Sequence, residues 1–278
     1  MSSAALSALY GSQPLFVWVE DDATRVALTT AWAGDPVAIH VGGSNETIRA
    51  VVEDAWRSGI THVFGVVDRD FGRSNSPRWA APSNDLRTYI LQSSEIENLA
   101  LDPEALAECA YNTGRRSEAE ITAKLDEIVR GMTWWMACCA VLAHVRDKRN
   151  EDFPSFPANV TNVVDLASAS ACILRSDWFT KHVANLPAFA QTSWLTTELQ
   201  NQESRLAQAA ANGQWKVDFS GKQIFHRVSE FVYTKGTGKR KNIDLLQAVV
   251  QKQVDNGRIA VELRNLRSSL RTRVGLSP

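Results

Sequence analysis

The chain has 278 residues, 44% of them hydrophobic and 22% charged, which is the balance of an ordinary globular protein and excludes collagen, a disordered segment and a disulfide scaffold. That length holds one large domain or two small ones. The formal charge of -1 hides an asymmetry: residues 1–118 carry 9 arginines, no lysine and 16 acidic residues, a net of -7, whereas the remaining 160 carry 21 basic and 15 acidic residues, a net of +6. One physical reading is an acidic part that coordinates cations joined to a basic part that holds a polyanion; the other is solvated faces of chance composition.

In chain order, Leu15–Val19 is a β-rich apolar run ending at Glu20, and Ala23–Trp32 follows with helical spacing. Pro36–Val41 reads as a second strand closed by Gly42-Gly43, and Ser44 or Asn45 can cap a helix over Glu46–Arg57. Thr61–Val67 is a third strand, ending at Asp68-Arg69-Asp70, and a fourth is expected at Leu86–Leu91 after a Ser/Asn/Pro-rich loop. Continuous apolar strands alternating with amphipathic helices predict an α/β fold, Rossmann-like, with a central parallel sheet covered on both faces. After about Asp102 helical periods dominate: Glu118–Arg130, Met132–Val145, Ala188–Ala211, Ile243–Val254 and Ile259–Arg271. The expected division is therefore residues 1–115, α/β, and residues 116–278, a mostly α-helical, basic C-terminal region.

Four cysteines (Cys109, Cys138, Cys139, Cys172) form no CxxC pair and read as reduced core thiols of a cytoplasmic protein. The first residues lack a basic segment ahead of an apolar stretch, so no secretory signal is expected. The longest apolar run, Gly131–Val145, falls short of the roughly 20 residues that span a bilayer, which predicts a buried helix and no membrane partner.

In parallel α/β sheets, ligands sit outside the carboxyl ends of the strands. Acidic residues stand at those ends: Glu20 after the first, Asp68 and Asp70 after the third, Glu95 and Glu97 after the fourth. In extended backbone Asp68 and Asp70 share one side. If the first and third strands are neighbours, Glu20 joins them, and carboxylates within about 4 to 6 Å repel by up to roughly 4 kcal/mol per pair. A cation relieves that repulsion, and oxygen ligands without His or Cys select Mg²⁺ or Mn²⁺. Any one of these acids is also an ordinary turn or cap residue, the role that Asp21 and Asp22 fit.

The segments VWVEDDATRVAL, IHVGGSNETIRAVVE, THVFGVVDRDFG and LQSSEIENLALDPEAL together resemble the Toprim domain, over about residues 15 to 106. They are similar in particular to the stand-alone branch related to the overcoming-lysogenisation-defect (OLD) nucleases, which includes the Toprim effector of the PARIS anti-phage system. The resemblance implies metal-dependent phosphodiester chemistry with Mg²⁺ or Mn²⁺. It makes Glu20 a catalytic metal ligand or general acid/base, Asp68 and Asp70 catalytic metal ligands, and Glu95 and Glu97 an acidic pair, either of which can hold a second ion. It also implies an antiviral effector controlled by a separate ABC-type ATPase partner; because an uncontrolled nuclease is toxic to its host, the isolated chain is expected to be held inactive, by homo-oligomerisation or by partner capture. One departure is that Asp21 stands where the family usually has glycine, which either crowds the site or adds a carboxylate.

The substrate surface, for RNA or DNA, is expected in the basic C-terminal region, where residues 222–278 hold 12 basic and 4 acidic residues. Its candidates are Lys222, the connection containing Lys239, Arg240 and Lys241, and the helical face of Arg264, Arg267 and Arg271. Lys222, like Arg69 and Arg73, is equally an ordinary surface residue by sequence. No GxSxG, HExxH or GxGxxG motif supports another chemistry. Two rival readings stay open: a non-catalytic nucleic-acid or partner-binding module, and a topoisomerase- or primase-like Toprim enzyme.

Overall fold

The computed structural model describes residues 10–11, 13–69, 87–149, 157–176, 179–180, 192–233 and 239–278, with backbone alone at 145–149 and 239–241. Four parallel strands form the sheet: β1 (Leu15–Val19), β2 (Val37–Val41), β3 (Val63–Val67) and β4 (Thr88–Ile90), in the order β2-β1-β3-β4. Val17 lies opposite Ile39 on one side and Phe64 on the other, and Val66 lies opposite Tyr89. The central strands β1 and β3 are buried almost throughout, as their unbroken apolar runs require, whereas the edge strand β2 is half exposed.

Two helices return the chain from one strand to the next. Helix α1 (Asp22–Ala31) starts at Asp21, whose side chain accepts the Thr24 N–H, and α2 (Asn45–Arg57) starts at Ser44, which accepts the Thr47 N–H. Ile48, Val52 and Ala55 of α2 pack with Phe16, Val63 and Val67 of the sheet. Gly65 makes that approach possible: a Cβ there would lie 2.6 Å from Ile48 Cγ2 and 3.0 Å from Thr88 Cγ2.

After β4 come α3 (Glu97–Ala100), α4 (Pro103–Glu108), α5 (Glu118–Gly131), α6 (Thr133–Arg149), a 3₁₀ turn at Val160–Asn162, α7 (Leu166–Leu174), α8 (Thr192–Ala211), α9 (Gly221–Val232), α10 (Lys239–Asp255) and α11 (Val261–Arg273). The described residues divide into two compact units, one comprising those of 10–69, 87–121 and 221–278, the other those of 122–220. A single cut at residue 115 thus needs correcting. The segment after Gly221 belongs with the α/β part, because the buried face of α10 (Leu245, Leu246, Val249, Val250) packs on α1 and α4, and α9 packs on α3. The Trp32 indole N–H donates to the Leu263 carbonyl at 3.2 Å within the same unit.

In the second unit α6, α7 and α8 pack on one another. Cys138 and Cys139 are buried there, Cys172 is half-buried, and all three are free thiols, as is the buried Cys109 of the first unit. Among the described residues no helix is long and apolar enough to cross a membrane. The connection expected around Lys239 to Lys241 is instead the first turn of α10, although that turn, Lys239 to Asn242, carries no apolar residue. The side chains of Lys239, Arg240 and Lys241, and all of Asp70, lie outside what the structure describes.

Candidate functional site

Strand β1 runs between β2 and β3, so the chain leaves it to one side and later returns to the other. The reversal puts a topological switch point between β1 and β3, whose carboxyl ends emerge side by side; this is where open α/β sheets bind ligands. Asp21 follows β1 and Asp68 follows β3 directly.

The two carboxylates meet on one ammonium group. Lys222, the second residue of α9, places Nζ 3.0 Å from Asp68 Oδ2 and 3.2 Å from Asp21 Oδ2. Asp21 uses its other oxygen to cap α1, accepting the Thr24 N–H at 2.9 Å and the Thr24 hydroxyl at 3.0 Å. The backbone N–H of Lys222 donates to Glu95 Oε2 at 2.7 Å, and the Glu95 N–H donates to Asn98 Oδ1 at 3.1 Å. Gly221 permits this junction, because a Cβ at that position would lie 2.7 Å from the Asn98 backbone nitrogen.

The loop that presents Glu95 is tied at two points. The Arg69 N–H donates to the Ser94 carbonyl at 2.9 Å, fixing it beside Asp68. Glu262, in the first turn of α11, accepts the Ser93 N–H at 3.2 Å, the Ser93 hydroxyl at 2.9 Å and the Gln92 N–H.

Two carboxylates are buried deeper than their charge would ordinarily allow. Asp68 is 8% exposed and Glu97 is 7% exposed. Asp68 Oδ1 and Glu97 Oε2 are buried without a hydrogen-bond partner. Burial pushes the Asp68 carboxyl up to about 6; Lys222 opposes the rise, while Glu95 and Asp21 add to it. Burial likewise pushes Glu97 up to about 8, again opposed by Lys222 and assisted by Glu95 and Asp68. For Lys222 burial alone favours the neutral amine, but Asp68, Glu95, Glu97 and Asp21 outweigh it and hold the ammonium above the ordinary lysine range. Burial would also raise Asp21, but Lys222 and the Thr24 bonds hold it below the usual carboxylate range. A small cavity of about 110 Å³ adjoins the cluster, walled by Glu97, Lys222, Ala23, Phe225 and Leu246, with room for several waters.

Of the residues singled out by sequence, Asp68, Glu95, Glu97 and Lys222 come together here. From the end of β1 the carboxylate on Lys222 is that of Asp21, a residue read by sequence as a cap; Glu20 stands half-buried one position earlier. Glu262 was not singled out, and its only sequence signal is an acidic residue in a helix's first turn. Among the basic candidates, Arg264 is exposed, but Arg267 and Arg271 are engaged within the fold. Arg267 holds Asp35 through two bonds of 2.5 and 2.6 Å, and Arg271 donates to the same carboxylate at 2.7 Å.

Among the described residues, no three acidic, histidine or cysteine side chains converge as a ready metal shell. The donor chemistry nonetheless fits a hard divalent cation. Two buried carboxylate oxygens without partners are what such an ion satisfies, and Mg²⁺ is commonly held by only one or two protein carboxylates, with water and phosphate completing its shell. No protein-family model matches the chain, and no curated protein matches it.

Proposed function

We propose that the chain is a Mg²⁺- or Mn²⁺-dependent nuclease of the Toprim type, hydrolysing phosphodiester bonds in RNA or DNA. The observation that carries this reading is the pair Asp68 and Glu97: carboxylates buried at the switch point of a parallel sheet, each with one oxygen lacking a partner. Asp68 and Glu97 would hold the ion, together with Glu20, Asp70 and Glu95 as the resemblance to the OLD-related branch implies. When bound, Mg²⁺ polarises a phosphoryl oxygen and makes a coordinated water more acidic.

The chain's own residues supply the rest. Lys222 is held charged by its four acidic neighbours, and its ammonium can donate to a non-bridging phosphate oxygen. Asp21 and the backbone bond to Glu95 fix where that ammonium stands. Glu262 and the Arg69 N–H hold the Glu95 loop beside Asp68, so the acidic residues are positioned before substrate arrives. Exposed Arg264 and the Lys239–Lys241 turn are candidates for contacts to the nucleic-acid backbone. An antiviral effector role and a separate ABC-type ATPase as trigger belong to the same proposal through the resemblance, and restraint by homo-oligomerisation or partner capture belongs to it because an unrestrained nuclease is toxic.

One observation favours the rival reading of a non-catalytic binding module: Lys222 already neutralises part of the cluster. The test is incubation of the purified chain with supercoiled plasmid, linear DNA and total tRNA, with Mg²⁺ or Mn²⁺, beside Asp68→Ala and Glu97→Gln. Metal-dependent cleavage that both variants lose supports the nuclease and names its substrate. No cleavage, combined with Mn²⁺ binding that neither substitution alters, sinks it.

A further inference from the structure

We propose that Cys138 and Cys172 form a modification site, a thiol pair that hydrogen peroxide closes to a disulfide and a thiol reductant reopens. The site lies within the second unit and does not depend on the metal-dependent reading.

The packing of two helices brings the pair together. Cys138 stands in α6, and Cys172 stands near the end of α7, which packs on it. The Cys138 thiol donates to the Ala169 carbonyl of α7 at 4.0 Å. Ala169 and Cys172 are three residues apart, which puts them on one face of that helix. The second thiol therefore falls beside the first, and the two are in hydrogen-bond contact. A disulfide requires its two Cβ atoms to lie only about 4 Å apart, and sulfurs already touching across adjoining helices meet its first condition. The other two cysteines are placed differently. Cys139 is fully buried and projects about 100° further round α6. Cys109 belongs to the first unit, where its thiol donates to the Leu106 carbonyl at 3.3 Å.

Access sets the order of events. Cys138 is fully buried, and burial, with Cys172 adding to it, pushes its thiol up, so it is a poor first nucleophile. Cys172 is half-buried and is the sulfur that peroxide can reach. That sulfur attacks one peroxide oxygen, the O–O bond breaks, and the thiol proton leaves with the other oxygen as water, which makes Cys172 a sulfenic acid. The Cys138 sulfur then attacks the Cys172 sulfur, the S–O bond breaks, and the hydroxide leaves with the Cys138 proton as a second water. The two thiols together lose two electrons, and one peroxide takes them up.

The test is the intact mass and thiol count of the full chain in denaturant, before and after hydrogen peroxide that is removed by catalase before unfolding. The native chain is expected to become two hydrogens lighter and to fall from four thiols to two, with dithiothreitol restoring all four. Peptide fragmentation is expected to place the link between Cys138 and Cys172. Cys172→Ala, a change at a half-buried position, is expected to keep its remaining thiols under the same treatment. A native chain that keeps four thiols overturns the inference. So does oxidation that ends as sulfinic acid on Cys172, a link through Cys139 or between two chains, or a Cys172→Ala chain that still loses a pair of thiols.

Discussion

Two aspartates of the α/β unit, Asp35 and Asp68, both have largely covered side chains that face basic groups, yet they are built for different ends. The Asp35 side chain is 7% exposed, and its two oxygens are shared between the guanidinium groups of Arg267 and Arg271, with every bond at 2.5 to 2.7 Å. Asp68 has one oxygen on a lysine, the other without a partner, and Glu95 and Asp21 close enough to repel it. The first is a finished tie between the end of α1 and helix α11. The second is an unfinished one, and an unfinished buried carboxylate at the carboxyl end of a sheet is a mark of a ligand site.

Removing each carboxylate should therefore have opposite consequences. Asp35→Ala leaves two partly buried guanidinium groups without their partner and is expected to cost roughly 3 kcal/mol, read by urea unfolding. Asp68→Asn removes a charge that the fold holds unwillingly, so in metal-free buffer at pH 8 it is expected to stabilise the chain by about 2 kcal/mol. A loss of stability in Asp68→Asn comparable with that of Asp35→Ala would erase the distinction.

The pH dependence sharpens the same contrast. The folded-state values of Asp68 and Glu97 lie above their ordinary ones, so the folded chain keeps protons that the unfolded chain has released. Their contribution to stability is whole below about pH 4 and is lost as pH rises through about 6 for Asp68 and about 8 for Glu97. Without metal, the native chain should lose stability relative to Glu97→Gln between about pH 5 and pH 8. Parallel curves for the two proteins across that interval would contradict the assignment.

Smaller effects resolve the supports. Glu262→Ala is expected to cost about 2 kcal/mol, since three donors lose a charged acceptor, and to speed amide exchange at Gln92 and Ser93. Unchanged exchange there would remove Glu262 from the positioning of the Glu95 loop. Asp21→Ser keeps a cap for α1 and should change stability by only a few tenths of a kcal/mol, while releasing Lys222 to react faster with an acylating reagent. Equal labelling of Lys222 in both proteins would make Asp21 a cap and nothing more.

What the sequence makes legible is local. The three apolar five-residue strands and the capped helices α1 and α2 are readable because each carries its own period and its own cap, Asp21 and Ser44. The acids at strand ends are readable because the parallel topology places them together. Helix α9 was missed although Ile224, Phe225, Val228 and Val232 keep a helical period, because Gly221 and the polar residues between them obscure it. The pairings that define the site are not local: Lys222 meets Asp68 across 154 positions, and Glu262 meets Ser93 across 169. Nor does any spacing distinguish Arg267 and Arg271, which hold Asp35, from Arg264, which faces solvent; the three share one helical face and differ only in what the fold sets opposite them.

The decisive measurement is urea unfolding of the native chain at pH 8, with and without Mg²⁺, beside Asp68→Asn. A cation site at Asp68 and Glu97 requires that Mg²⁺ at about 100 times its dissociation constant stabilise the native chain by about 2.7 kcal/mol and leave the variant unmoved. A native chain indifferent to Mg²⁺, or a variant that responds equally, would contradict it.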